Sequence, residues 1–310
     1  MTIRPFDARD TDGIVALWNE FWRGVPRAFP ITPAEVAARV LDVPTFLEST
    51  LLVASDNGDV RGFVHFAPRE GWWFRLEDRP APGATESIIH ALCAPDEPVR
   101  AALLDAAQSA MSATGITRAW LYPTWAQGAM PFWNGLGPSN EVAGFPLKGT
   151  ATHAALREWL EARSWQVAVR YRLATRDLRE RTPRPLGRPA RVEVGAFPSP
   201  LVPGAQKLVV FGEDELERAS VVMARWPERA RATGRRELAA FDVTVGEAFR
   251  GQGWGKTLIR AFENFALEHD YDALQLHMVE GNAPAERLYF GDAGFVQPSG
   301  GAFGTFCQTL

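Results

Sequence analysis

Phe241-Asp242-Val243-Thr244-Val245-Gly246-Glu247-Ala248-Phe249-Arg250-Gly251-Gln252-Gly253-Trp254-Gly255-Lys256 decides how this chain is read. Phe241, Val243 and Val245 alternate with Asp242 and Thr244, the period-two pattern of a strand. Gly246 breaks it. The glycines then lead into a helix expected to begin near Lys256 and to bury Leu258, Ile259, Phe262 and Phe265. Strand, glycine loop and helix start together make an anion site. The first amides of a helix have no partner within it, and its dipole favours negative charge there. Glycine lets the backbone approach a phosphate with no Cβ in the way.

Spacing separates the possible owners of such a loop. The dinucleotide fingerprint G-x-G-x-x-G, begun at Gly251, requires a glycine where Lys256 stands. The nucleotide P-loop ends suitably on Gly255-Lys256-Thr257, but its first glycine falls on Arg250. The pattern R-x-x-G-x-G does fit. It resembles the acetyl-CoA loop of the GNAT superfamily of N-acetyltransferases. A second signature stands downstream: Asn282, Ala285, Leu288, Tyr289, Gly294 and Phe295, after the strand pattern Ala273–Val279. It resembles the helix that follows the fifth strand in GNAT proteins.

The composition agrees with an ordinary soluble protein. The chain has 310 residues, 46% hydrophobic and 23% charged, enough for two domains with their own cores. A net charge of −4 gives no reason to expect nucleic acid as a partner. Cys93 and Cys307 make no disulfide framework. No apolar leader and no run of membrane-spanning length is present, so cytoplasmic residence without a membrane partner is the expectation. The histidines are scattered, and no metal site is expected.

Read in order, the first half gives a strand at 2–6, helices from about 11 and 33, and a hairpin at 51–66 turning on Asp56-Asn57-Gly58-Asp59. Thr32 and Glu35 form a capping box, and Asp7 or Asp10 is expected to cap the first helix. This is the order in which GNAT domains begin. A strand at 87–93 follows. Where the phosphate loop belongs, however, the chain reads Ala94-Pro95-Asp96-Glu97-Pro98-Val99-Arg100. Matching Cys93 to Val245 and Leu103 to Leu258 makes this loop three residues shorter. It has no glycine, prolines that remove donors, and carboxylates that repel phosphate. Residues 152–165 align without gaps on 282–295, with Trp159 where Tyr289 stands. The first half therefore resembles a GNAT domain with a degenerate cofactor loop.

The resemblance implies an α+β fold, the three-layer α/β GNAT architecture, present as two tandem acyl-CoA N-acyltransferase domains. Each is a mixed, mostly antiparallel twisted sheet flanked by helices. Residues 1–178 form the degenerate domain, 179–190 a proline-rich solvated linker, and 191–310 the acetyl-CoA-binding catalytic domain. The catalytic domain has a short N-terminal helical part: only about eight residues, from Pro198, precede its second strand. A polar loop is expected through Thr233-Gly234.

By the same resemblance, acetyl passes from acetyl-CoA to an amine. Amides of Gly251, Gln252, Gly253, Trp254, Gly255 and Lys256 hold the pyrophosphate, with Arg250 adding charge. Thr257, Asn282 and Arg287 complete the cofactor contacts. Backbone of Val243 and Val245 pairs with the pantetheine arm. Tyr289 matches the tyrosine that protonates the departing thiolate. The base is open among Glu237, which shares the parity of Val243 and Val245, His277, and Asp242 on the opposite face. The acceptor is a small-molecule or peptide amine. Its wall is expected to include the aromatic segments at 71–75 and 125–133. The protein is expected to be a monomer or homodimer. The alternative is a CoA-binding regulatory module without turnover, and an ATP site fails on spacing.

Overall fold

The computed structural model describes residues 1–25, 27–43, 46–68, 86–122, 133, 136, 145–147, 150–198, 204–299 and 301–310. The aromatic segment at 71–75 and residues 125–132 lie outside this set. The elements are β1 (Thr2–Pro5), α1 (Thr11–Trp22), α2 (Pro33–Val36), β2 (Leu51–Asp56), β3 (Asp59–Pro68), β4 (Glu86–Cys93), α3 (Glu97–Ala113), β5 (Arg118–Leu121), β6 (Phe145–Pro146), α4 (Ala151–Glu161) and β7 (Gln166–Asp177). They continue with β8 (Arg191–Ala196), β9 (Gln206–Phe211), β10 (Glu217–Arg225), α5 (Pro227–Thr233), β11 (Glu237–Val245), α6 (Trp254–Glu268), β12 (Ala273–Val279), α7 (Ala283–Glu286) and β13 (Ala302–Thr309).

Two compact units result, 1–170 with 302–310, and 171–301. These limits differ from 1–178 and 191–310. β13, expected in the second domain, pairs with β5 of the first unit, Phe306 opposite Leu121. Most of β7, expected to end the first domain, pairs antiparallel with β12 of the second unit, Leu276 opposite Ala174. Residue burial explains the exchange: Phe306 is fully buried in the first core, and Ala174 and Leu178 in the second.

In the first unit the strands run β1-β2-β3-β4-β5, antiparallel except for β4 with β5. The hairpin turn is as expected, with Asn57 and Gly58 at φ +51° and +93°. Thr32 and Glu35 form their capping box, whereas Asp7 caps the 3₁₀ turn Ala8–Asp10 instead of α1. Trp133 belongs to this core. It stacks on Trp18 at 4.4 Å between centroids, and its Nε1 donates to His65 Nδ1 at 3.1 Å.

The second unit orders its strands β8-β9-β10-β11-β12-β7, and only β11 with β12 is parallel. One face packs on α6 through Leu258, Ile259, Phe262 and Ala266. β8 and β9 are separated only by residues 197–205, too few for the two helices a full GNAT domain places there. The expected polar loop before β11 contains a helix, α5, opened by Pro227 and closed by left-handed Gly234. Residues 179–190 are mostly exposed, as a solvated linker requires, but they are also docked on α6. Arg184 donates to Glu263 at 2.8 Å and exchanges backbone bonds with the Asn264 side chain, and Arg260 donates to Pro185 O. Leu186 and Ala190 join the core. The segment lies as a strap antiparallel along α6, with Arg184 sharing Glu263 with Arg176 of β7, a buried ion pair at 2.9 Å.

Candidate active site

The site begins with a fault in β11. Asp242 pairs with Val222 and Ala240 with Met223, leaving Phe241 as a bulge. β11 and β12 pair only from Glu237 opposite Ala273 to Ala240 opposite Leu276. β11 then stays on β10 as far as Val245, while β12 stays on β7 as far as Val279. The two strands part. Among the described residues no strand covers the edge of residues 241–245 that faces β12, so its peptide groups can take an extended ligand as an added strand.

The bulge also changes parity. Leu238, Ala240, Val243 and Val245 all face the α6 core. Glu237 therefore does not share a face with Val243 and Val245, as alternation alone predicted; it shares one with Asp242. On β12, Leu274, Leu276 and Met278 face the same core, which turns His277 to the face of Asp242. Asp242 and His277 thus flank the parting, and Thr244 Oγ1 donates to Asp242 Oδ1 at 2.8 Å.

Glu237 lies elsewhere. It stands at the closed end of the β11–β12 pairing and accepts from Arg229 Nε of α5 at 2.8 Å, both side chains buried. Such a pair is a fixture, since removing either partner strands a buried charge.

Below the parting stands the anion cup. α6 starts at Trp254, two residues earlier than expected, with Gly253 as its N-cap at φ +88° and Gly251 at φ +74°. Lys256 N donates to Gly253 O at 3.0 Å, and Thr257 N leans on the same oxygen. Among the described residues no acceptor stands opposite the amides of Gly251, Gln252, Gly253, Trp254 and Gly255, so the open cup is 251–255 without Lys256. Gly255 is needed for packing, because a Cβ there would meet Leu288 Cδ2 at 3.1 Å. Arg250 is exposed and folds back on Val245 O. Lys256 Nζ pairs with Asp292 at 3.0 Å, tying α6 to the π-helical turn Arg287–Asp292. Thr257 is buried behind the loop, away from its mouth.

That π turn carries Tyr289, which is 6% exposed. It sits in the α6-side core against Phe295, yet is close enough to Asp242 across the sheet to feel its charge. Burial first, and the Asp242 carboxylate second, push the phenol well above its ordinary value. Tyr289 stays protonated at every physiological pH. Among the described residues its hydroxyl has no hydrogen-bond partner. Asn282 closes the rim by capping α7, its Oδ1 accepting from Ala285 N at 3.2 Å. Arg172 fixes the turn through Glu286 at 3.0 Å and the face of Phe290. Arg287 is exposed.

The site is therefore an open strand edge with an amide cup at one end and Tyr289, Asp242 and His277 around the parting. Residues 206–295 match the sequence model of the acetyltransferase (GNAT) family. No curated protein sequence matches the chain. A tandem GNAT protein from the clavulanic acid biosynthesis pathway superposes with a TM-score of 0.65 at 14% identity, covering 99% of this chain and 98% of that one. A GCN5-related N-acetyltransferase from Sphaerobacter thermophilus gives 0.64 at 12% identity, over 99% and 95%. The glucosamine N-acetyltransferase region of a fungal multi-domain β-N-acetylglucosaminidase gives 0.72 at 14%, over 99% of this chain and 38% of that one. At these identities the structures establish the fold. Residues 206–295 thus resemble a GNAT acetyltransferase domain, and the whole chain carries the fold of a tandem GNAT protein.

Several features escaped the sequence reading. The Phe241 bulge was signalled by the unbroken apolar run from Leu238 to Phe241, which cannot alternate. α5 carried a helix start and stop in Pro227 and Gly234. Nothing local announced that the linker would dock on α6. Among the described residues no helix is long and apolar enough to cross a membrane, and no group of three metal-ligating side chains assembles.

Proposed function

We propose that residues 171–301 bind acetyl-CoA and transfer its acetyl group to a primary amine. One observation carries this reading: the open edge of β11 runs directly into the amide cup at the start of α6. That arrangement suits a ligand with an extended, amide-bearing arm attached to a pyrophosphate. The cup amides and Arg250 take the pyrophosphate, and the backbone of Val243 and Val245 takes the arm. Asn282 and Arg287, after β12, are assigned to the cofactor in the same reading.

The thioester then lies at the parting. The neutral amine attacks its carbonyl carbon, the C–N bond forms, and the C–S bond breaks. The thiolate takes a proton from Tyr289 Oη, which burial keeps in place to be given. The amine's proton goes to Asp242, directly or through His277 or water. Glu237, locked on Arg229, is given a supporting role. An anionic group opposite the phenol also suits an acceptor that arrives as a cation.

Acetyl-CoA with a panel of small and peptide amines, read as free thiol, tests the proposal. Turnover is expected for at least one amine, and Tyr289→Phe should leave acetyl-CoA affinity intact while lowering kcat about a hundredfold or more. Tight CoA binding with no thiol release for any amine supports a binding module instead. Wild-type turnover in Tyr289→Phe removes the acid assignment.

A further inference from the structure

The strap ends at the cofactor loop. Arg188 is carried to the N-terminus of α6, where its Nη2 donates to Gln252 O at 2.6 Å. Its guanidinium covers the Trp254 indole at 4.4 Å from the ring centroid. Gly253 makes room for it, since a Cβ there would come within 3.0 Å of Arg188 Nη2. On the same indole lies Arg218 at 5.4 Å, itself over Phe249 at 3.9 Å. A groove of about 350 Å³ opens between Arg188, Pro189, Asp214, Arg218 and Trp254.

The two arginines differ in how they are held. Arg218 is paired with Asp214, and its side chain is only 11% exposed. Arg188 has no carboxylate partner among the described residues, and its remaining donors are uncommitted. Glu213 and Asp214 line the other wall, so an anion must enter on the Arg188 side. An uncompensated guanidinium, fixed by stacking and one hydrogen bond, is preorganised for a phosphate.

We infer that the strap completes the cofactor site, with Arg188 binding the 3′-phosphate of coenzyme A in this groove. The inference rests on the reading of 251–255 as the pyrophosphate cup: the groove borders that cup through Trp254, within reach of the nucleotide end of a ligand whose pyrophosphate lies there. The segment joining the two halves of the chain is then part of the binding machinery, and phosphorylated coenzyme is distinguished from its dephospho form.

Calorimetric titration of the full chain with CoA and with dephospho-CoA tests this. Wild type should bind CoA about tenfold more tightly, the worth of one charge-assisted bond. Arg188→Gln, which keeps a donor for Gln252 O but no charge, should lose about tenfold for CoA and nothing for dephospho-CoA. Arg188→Lys should recover part of the preference. Equal weakening of both ligands in Arg188→Gln, or no weakening, overturns the inference, as does a wild type that binds both alike. A wild type that binds neither ligand overturns the CoA reading itself.

Discussion

Two glycines of the loop can be separated by experiment. Gly251 and Gly253 both have positive φ, +74° and +88°. An alanine at either is strained by about 1–2 kcal/mol, because Cβ crowds the backbone in the left-handed region. Their surroundings differ. A Cβ on Gly251 meets nothing within 4 Å, whereas one on Gly253 lies 3.0 Å from Arg188 Nη2 and threatens the 2.6 Å bond to Gln252 O. Losing that exposed hydrogen bond adds about 1 kcal/mol. Gly251→Ala should therefore cost about 1–2 kcal/mol of stability and Gly253→Ala about 2–3 kcal/mol. At about 2–4 °C per kcal/mol for a unit of this size, the difference in melting temperature is a few degrees. CoA affinity should fall in both, because the new methyl of Gly251→Ala occupies the open space given to phosphate. Thermal unfolding and titration calorimetry on the same samples read both quantities. Equal melting temperatures would refute the Arg188 contact, and wild-type CoA binding by Gly251→Ala would refute the cup.

Two further outcomes follow from buried charge. Asp242→Asn should reduce turnover with little change in melting temperature, while Glu237→Gln should destabilise by about 3 kcal/mol or more by stranding Arg229, leaving the kcat of folded enzyme nearly unchanged; the opposite pattern in paired kinetics and unfolding would return Glu237 to the base role. In the first unit, complete burial pushes the His65 imidazole down to about 3. Its folded value is depressed, so the unfolded chain binds the proton first. Stability is full above about pH 6.5 and falls as pH drops toward 3, by about 2 kcal/mol at pH 5 from His65 alone. Urea midpoints at pH 7.5 and 5 should show that loss, and His65→Phe should shrink it; a pH-independent difference between the two proteins would contradict the assignment.

Much of this was legible because it is local. The glycine loop, the capping box at Thr32 and the hairpin at Asn57-Gly58 are short-range chemistry, and each formed where its residues stood. Strand limits at β9, β11, β12 and β13 follow from runs whose apolar residues fill a core. What failed depends on partners distant in sequence. Alternation assigns a face only while the register holds, and one bulge at Phe241 moved Glu237 to the face of Asp242. The linker is exposed, as its charged arginines suggest, but its docking rests on Glu263 and Asn264, some eighty residues away. Strand exchange is equally nonlocal: nothing in the residues of β13 says which sheet edge will receive them.

The first unit shows why one cofactor site is expected in this chain. β4 and β5 also part after four paired residues, Glu86 opposite Arg118 to Ile89 opposite Leu121, and β4 bulges at His90 as β11 does at Phe241. Aligning the bulges matches Cys93 with Thr244, one residue from the match made on sequence. From bulge to helix start the first unit spends residues 91–96 and the second 242–253, so its loop is six residues shorter, not three. The parting is filled: Tyr122, fully buried, donates its hydroxyl to Leu92 O at 2.6 Å, the position equivalent to Val243, where the second unit leaves its edge open. The loop is reversed in polarity as well. Arg100 donates from Nε to Ala94 O and from Nη2 to Pro95 O, so carbonyls are gathered there on a cation of the chain's own. The second unit gathers amides at the same point and leaves them for an anion. A shared frame thus ends in two chemistries: in one half a tyrosine and an arginine occupy the places that the proposed function gives, in the other half, to a ligand's arm and phosphate.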